Sequence, residues 1–199
     1  MYKKQVNIIR EKIAGSITNY QALLADENML FIIDDAFCSI ISAIRSGNKL
    51  LICGNGGSAA DAQHMAGEFL CRFYKDREPL PAIALTTDTS VITAISNDYD
   101  YDQVFARQIK ALGRKGDVLL GISTSGSSKN VLEAFKAARQ MEIKTILLTG
   151  QTEKEIAQYS DIVIKTPSTD TPRIQEMHLL IEHIICELVE EAYIKGQIS

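Results

Sequence analysis

Five short apolar runs, each followed by small residues and then by helical sequence, constrain this chain more than any other feature. They are KLLIC from Lys49, PAIAL (Pro81 to Leu85), VLLGI from Val118, KTILLTG from Lys144 and DIVIK (Asp161 to Lys165). Runs this short and this apolar read as strands buried on both faces. Alternated with helices, they build a parallel sheet covered on both sides. The intervening periodicity predicts helices over 59–73, from the second run to Leu112 with a break near Asn97-Asp98, over 131–141, near 153–159 and over 173–195. Two more helices precede the first strand. One runs from Lys3 to Leu24 with Val6, Ile9, Ile13, Ile17, Tyr20 and Leu24 on one face. The other runs from Met29 to Arg45 behind a capping Asp26. The fold class is therefore α/β: one domain over 1–199, with a doubly wound five-stranded parallel sheet in a three-layer α/β/α arrangement. It divides into N-terminal helices (1–46), a βα core (49–165) and a C-terminal helix (172–195). The first two helices either flank this domain or pack on another subunit.

Composition excludes several classes. At 199 residues, 46% hydrophobic and a net charge of −4, the chain has one sizeable core and no basic stripe for nucleic acid. No apolar run reaches membrane-spanning length, and MYKKQVNIIREK lacks the apolar core of a signal peptide. A cytoplasmic protein is expected. Cys38, Cys53, Cys71 and Cys186 sit in apolar patterns without CxxC spacing, so all four are expected to be free, buried thiols.

Polar chemistry concentrates where strands end. After the third strand, Ser123-Thr124-Ser125-Gly126-Ser127-Ser128 feeds a helix. Short hydroxylated side chains and helix N–H groups there suit an anion. An ordinary turn capped by Ser127 or Ser128 explains the same residues. After the first strand, Gly54-Asn55-Gly56-Gly57-Ser58-Ala59 matches a loose dinucleotide fingerprint. The ribose-binding acid that motif needs is not at the end of the next strand, where Asp88 comes too late, so a phosphate or sugar fits better. His64 and Glu68, four apart on the following helix, share a face and suit one metal ion or an acid–base pair. A plain surface pair would have the same spacing. On the last helix Gln175 and His183 lie eight apart, about 80° around and about 12 Å along the axis. His178 cannot share a face equally with both. Asn97 and Asp98 either turn the chain or offer polar groups to ligand hydroxyls.

Taken together, CGNGGSAADAQHMAGEF, ALTTDTS, NDYDYDQVFARQ, GDVLLGISTSGSSKNV and TPRIQEMHLLIEHIICELVEE resemble the phosphoheptose isomerases of the sugar-isomerase (SIS) superfamily, over nearly the whole chain. The resemblance implies a flavodoxin-like SIS domain that interconverts sedoheptulose 7-phosphate and D-glycero-D-manno-heptose 7-phosphate, an early step toward the heptose of lipopolysaccharide or other glycans. It further implies a homotetramer with interface active sites and one Zn2+ per subunit. Its zinc ligands fall on His64, Glu68, Gln175 and His183, and its acid–base pair on Glu68 and His183. Its substrate contacts fall on Asn55, Gly56, Gly57, Glu68, Asn97, Asp98, Ser123, Thr124, Ser125, Ser128 and Gln175. His178 belongs to the motif without a metal role. A similar branch of the superfamily binds the replication initiator protein and lacks the acid–base pair. The presence of both Glu68 and His183 favours the enzyme.

Overall fold

The computed structural model describes residues 2–152 and 154–196. The five apolar runs form strands β1 (Leu50–Gly54), β2 (Ala82–Ala84), β3 (Val118–Ser123), β4 (Lys144–Thr149) and β5 (Ile162–Lys165). All neighbouring pairs are parallel, in the order β2-β1-β3-β4-β5. The winding direction reverses between β1 and β3. Loops leaving these two strands turn to opposite faces and open a crevice at the strand carboxyl ends, where ligands of such sheets bind.

Every residue of β1 and β3 is buried. Alternation along β1 sends Leu50 and Ile52 into one helical layer and Leu51 and Cys53 into the other. The first layer holds α2 (Glu27–Arg45), α3 (Gly57–Leu70) and α7 (Thr171–Ile194). The second holds α4 (Thr89–Asp98), α5 (Val104–Leu112) and α6 (Lys129–Gln140). Helix α1 (Tyr2–Ala25) lies outside both, against α2 and α7. Local caps set several boundaries. The Met29 N–H donates to the Asp26 carboxylate at 3.0 Å and opens α2, a contact worth about 1 kcal/mol. The Val91 N–H donates to Asp88 at 2.9 Å and opens α4, so the acid that came too late for a ribose serves as a cap.

Several expectations need correction. Helix α3 ends at Leu70 rather than Phe73. The break in the long helical segment falls at Tyr99 and Asp100, with Asn97 and Asp98 still inside α4. Helix α7 starts at Thr171, just before the expected start, with Pro172 in its first turn, where an N–H has no intrahelical partner to lose. The helix expected near 153–159 is a 3-10 turn, Glu155–Tyr159. Glu153 itself lies outside the described residues, and five residues are too few to offset helix nucleation. Only Cys53 and Cys186 are buried, whereas Cys38 and Cys71 are exposed. Burial pushes the Cys53 thiol up to about 12 and raises that of Cys186 as well.

Helix α1 keeps its predicted apolar stripe but has little to cover it in a single chain. Val6, Ile9, Ile13, Ile17 and Leu24 are 45–71% exposed.

Candidate active site

Helices α3 and α7 run side by side in the same direction. At their starts, the Gln175 side chain lies so close over Gly57 that a Cβ there would collide with its amide. Two turns further on, His64 Nε2 and His183 Nε2 meet at 3.0 Å, with ring centroids 5.1 Å apart. Glu68 Oε1 lies 3.4 Å from His64 Nε2. Three predicted residues thus converge from positions more than a hundred apart in sequence. His64 and Glu68 remain 46% and 24% exposed, so the group opens to the outside of the single chain. The Gln175 amide rests at Gly57, two turns nearer the start of the two helices.

Two imidazole nitrogens facing each other at this distance need either one shared proton or a cation between them. The donors, two nitrogens and a carboxylate oxygen, are those that zinc prefers. They meet pairwise through His64, and no preformed metal-holding cluster of three His, Cys, Asp or Glu side chains occurs among the described residues.

The Gly56 turn and the loop after β3 lie at the strand carboxyl ends, on either side of the β1–β3 crevice. Gly56 opens α3 with φ +57°, a conformation that glycine alone adopts without strain. In the loop after β3, Ser123 Oγ and Ser128 Oγ share a hydrogen bond of 3.0 Å, and Ser127 Oγ donates to Ser125 Oγ at 3.1 Å. The Thr124 carbonyl accepts from the Gly150 N–H at 3.3 Å, tying the loop to the end of β4. Ser128 is the residue before α6, yet its side chain makes no capping bond. Hydroxyls are turned toward each other instead of the helix, and of the first-turn N–H groups Val131's donates to Asn130 Oδ1 at 2.9 Å, leaving those ahead of it for an anion. Asn97 and Asp98 stand apart: the Asn97 amide donates to the Asp98 carboxylate at 2.8 Å at the exposed end of α4.

Asn130 and Tyr101 are site residues that the sequence reading missed. The Asn55 and Asn130 amides exchange two hydrogen bonds of 2.8 Å, and the Tyr101 hydroxyl donates to Asn55 Oδ1 at 3.1 Å. This exchange ties the two ligand loops together across the β1–β3 crevice. The available signal was an Asn in the first turn after a serine-rich loop, which is weak because Asn is common there.

Buried ionisable groups lie behind the site. His178 is fully buried in α7, and burial lowers it to about 4, so it is a neutral core histidine. Glu182 is 1% exposed, and neither of its carboxyl oxygens has a hydrogen-bond partner. Burial, reinforced by Asp61, pushes it up to about 9. Its contribution has a definite sign. An unfolded carboxyl ionises from about 4.5 upward while the folded one holds its proton to about 9, so stability is full below that window and falls as pH rises through it. Glu182→Gln should therefore melt above the parent at pH 8, by the equivalent of 1–3 kcal/mol on the order of magnitude, with the gap closing toward pH 5. Parallel melting curves across that range would show that Glu182 ionises in the fold.

The SIS domain family matches residues 15–150. Phosphoheptose isomerase 2 of Campylobacter jejuni is 55% identical over 183 residues, covering 92% of this chain and 91% of that one. The phosphoheptose isomerase of Aneurinibacillus thermoaerophilus is 51% identical, covering 95% and 96%. The structure of the Neisseria gonorrhoeae phosphoheptose isomerase superposes with a TM-score of 0.88 at 42% identity, covering 94% of this chain and 99% of that one. A parallel sheet with this strand order, an anion-ready loop at its carboxyl edge and a His–Glu–His group between α3 and α7 are thus found together with close sequence kinship over nearly the full length, and the chain belongs to the SIS domain family and, within it, to the phosphoheptose isomerases.

Proposed function

We propose that the chain interconverts sedoheptulose 7-phosphate and D-glycero-D-manno-heptose 7-phosphate. The carrying observation is the meeting of His64, Glu68 and His183 between α3 and α7, in a chain whose β1–β3 crevice carries a hydroxyl-rich loop ahead of α6. Every relative named above is a phosphoheptose isomerase by name, and this favours the enzyme over an initiator-binding protein.

Aldose–ketose interconversion moves a proton between C1 and C2 through an enediolate. Glu68 would take and return the carbon-bound proton, and His183 would serve the oxygens. Ser123, Thr124, Ser125 and Ser128 would hold the phosphate with the first N–H groups of α6. Asn55, Gly56 and Gly57, steadied by Asn130, would bind the sugar hydroxyls together with Gln175, Asn97 and Asp98. A zinc ion held by His64, Glu68 and His183, with Gln175 as the expected fourth ligand, would polarise the carbonyl as a Lewis acid. Ligation would stabilise ionised Glu68 and weaken it as a base, so either Glu68 shifts between the two roles or His183 carries more of the proton transfer.

The uncovered stripe on α1 supports a homo-oligomer, because an exposed apolar face of that length calls for a partner surface. A tetramer with its sites completed at interfaces also accounts for the exposure of His64. Among the described residues no helix is long and apolar enough to cross a membrane. This agrees with a cytoplasmic enzyme that supplies heptose for lipopolysaccharide or other glycans.

Incubation with sedoheptulose 7-phosphate should yield the aldose 7-phosphate, and a folded, metal-loaded protein forming none would overturn the assignment. Ser125→Ala or Ser128→Ala should raise KM about 10-fold or more, the cost of a hydrogen bond to a charged group, with a smaller change in kcat. An unchanged KM in both would return the loop to a structural turn.

A further inference from the structure

A buried ion pair straps together the two helices that carry the catalytic candidates. The carboxylate of Glu190 accepts three consecutive backbone N–H groups from the segment after α3: Phe73 at 2.8 Å, Tyr74 at 2.7 Å and Lys75 at 3.0 Å. Arg77 sits against it, with Nε 3.4 Å from Glu190 Oε1. Its guanidinium donates to the Glu68 carbonyl at 2.7 Å, the Phe69 carbonyl at 2.8 Å and the Glu78 carbonyl at 3.1 Å. The two side chains are 2% and 4% exposed. Burial opposes the charge on Glu190, but the three N–H groups and Arg77 outweigh it and hold the carboxyl below the usual range.

The placement of this pair is specific. A helix leaves its last carbonyls without partners, and a cation there also complements the helix dipole. Here the carbonyl taken up first is that of Glu68 itself. Glu190 lies seven residues beyond His183, which puts both on one face of α7. The segment fixed between them lays the Phe73 ring against His183, with centroids 5.7 Å apart. One bonded unit therefore sets the separation and rotation of α3 against α7, and with them Glu68 against His183. A buried ion pair offers little net stability over an apolar replacement, and Arg77 Nε faces Glu190 at 3.4 Å without a hydrogen bond, so the backbone bonds that the pair makes to α3 and the segment after it point to geometry.

We propose that Arg77 and Glu190 are positioning residues for the Glu68–His183 pair, acting through the Glu68 carbonyl and through Phe73. This rests on the isomerase reading given above. The test compares the parent enzyme with Arg77→Lys, Glu190→Gln and Phe73→Leu. It reads kcat and KM for sedoheptulose 7-phosphate, Zn2+ affinity by calorimetry, and thermal melting. Arg77→Lys keeps the charge but cannot span the Glu68 and Phe69 carbonyls. It and Glu190→Gln should lower kcat about 10- to 100-fold, the scale of a small misplacement of reacting groups, with KM within about 3-fold. Zn2+ should bind about 10-fold or more weakly, as when an outer partner of a metal ligand is lost. Phe73→Leu leaves the ion pair intact and should lower kcat about 3- to 10-fold. A kcat within 2-fold of the parent in the folded Arg77 and Glu190 variants, or a loss carried wholly by KM, overturns the proposal. If those two variants do not fold, Phe73→Leu decides by the same criterion. If the parent itself shows no turnover, the isomerase reading fails, and Zn2+ affinity decides the strap: weaker binding in Arg77→Lys upholds it and unchanged binding overturns it.

Discussion

Glu68→Gln and His183→Gln are expected to lower kcat about 10²- to 10⁴-fold each, the range over which positioned acids and bases contribute, while KM for the sugar phosphate changes only a few-fold. Each substitution keeps size and hydrogen bonding but removes the group that accepts or delivers a proton. The proposed phosphate loop after β3 and the Asn55–Asn130 exchange lie on other elements, so ground-state binding should survive. Steady-state kinetics with sedoheptulose 7-phosphate and solvent-deuterium exchange into C1 and C2 separate the two roles. Loss of exchange in Glu68→Gln identifies the group that handles the carbon-bound proton. Normal turnover in either variant, with binding intact, would remove the pair from the chemistry.

Removing divalent metal should be nearly as damaging. A chelator-treated protein is expected to lose about 100-fold or more in kcat, since a Lewis acid supplies several kcal/mol to a developing oxyanion. Zn2+ should restore activity at one ion per subunit, by elemental analysis. Stability gives a readout independent of turnover. Zn2+ at about 100 times its dissociation constant adds about 2.7 kcal/mol to folding, and so raises the melting temperature. His64→Ala should cancel both responses while leaving Glu68 and His183 in place. His64 is the ring through which the other two meet, at 3.0 and 3.4 Å. Full activity of metal-free protein would leave the His64–His183 contact as a simple hydrogen bond.

Much of this was legible in the chain. The strands were readable because apolar runs ending in glycine or hydroxyl residues leave few alternatives. The opening of α2 was readable because Asp26 satisfies an N–H three residues away. His64 and Glu68 were readable as a pair because helical spacing alone puts them on one face. The 3-10 turn at Glu155–Tyr159 was not readable as such, since five residues carry too little periodicity to tell one helical form from another. The burial of the cysteines was only half legible, because an apolar neighbourhood in sequence does not say which face of a helix will be covered.

By itself the sequence determined the succession of strands and main helices, the Asp26 cap and the chemical character of the loops. These are set by backbone hydrogen bonds and side-chain periods that act within a few residues. Only the tertiary structure decided the strand order that places β1 beside β3, and so brings Asn55 to Asn130 across 75 residues. It also decided the alignment of α3 with α7, which joins His64 to His183 across 119 residues and leaves Gln175 at Gly57. Contacts at such separations follow from how whole faces pack once the core closes. No local preference encodes them, which is why Asn130, Arg77 and Glu190 came into view only in the fold.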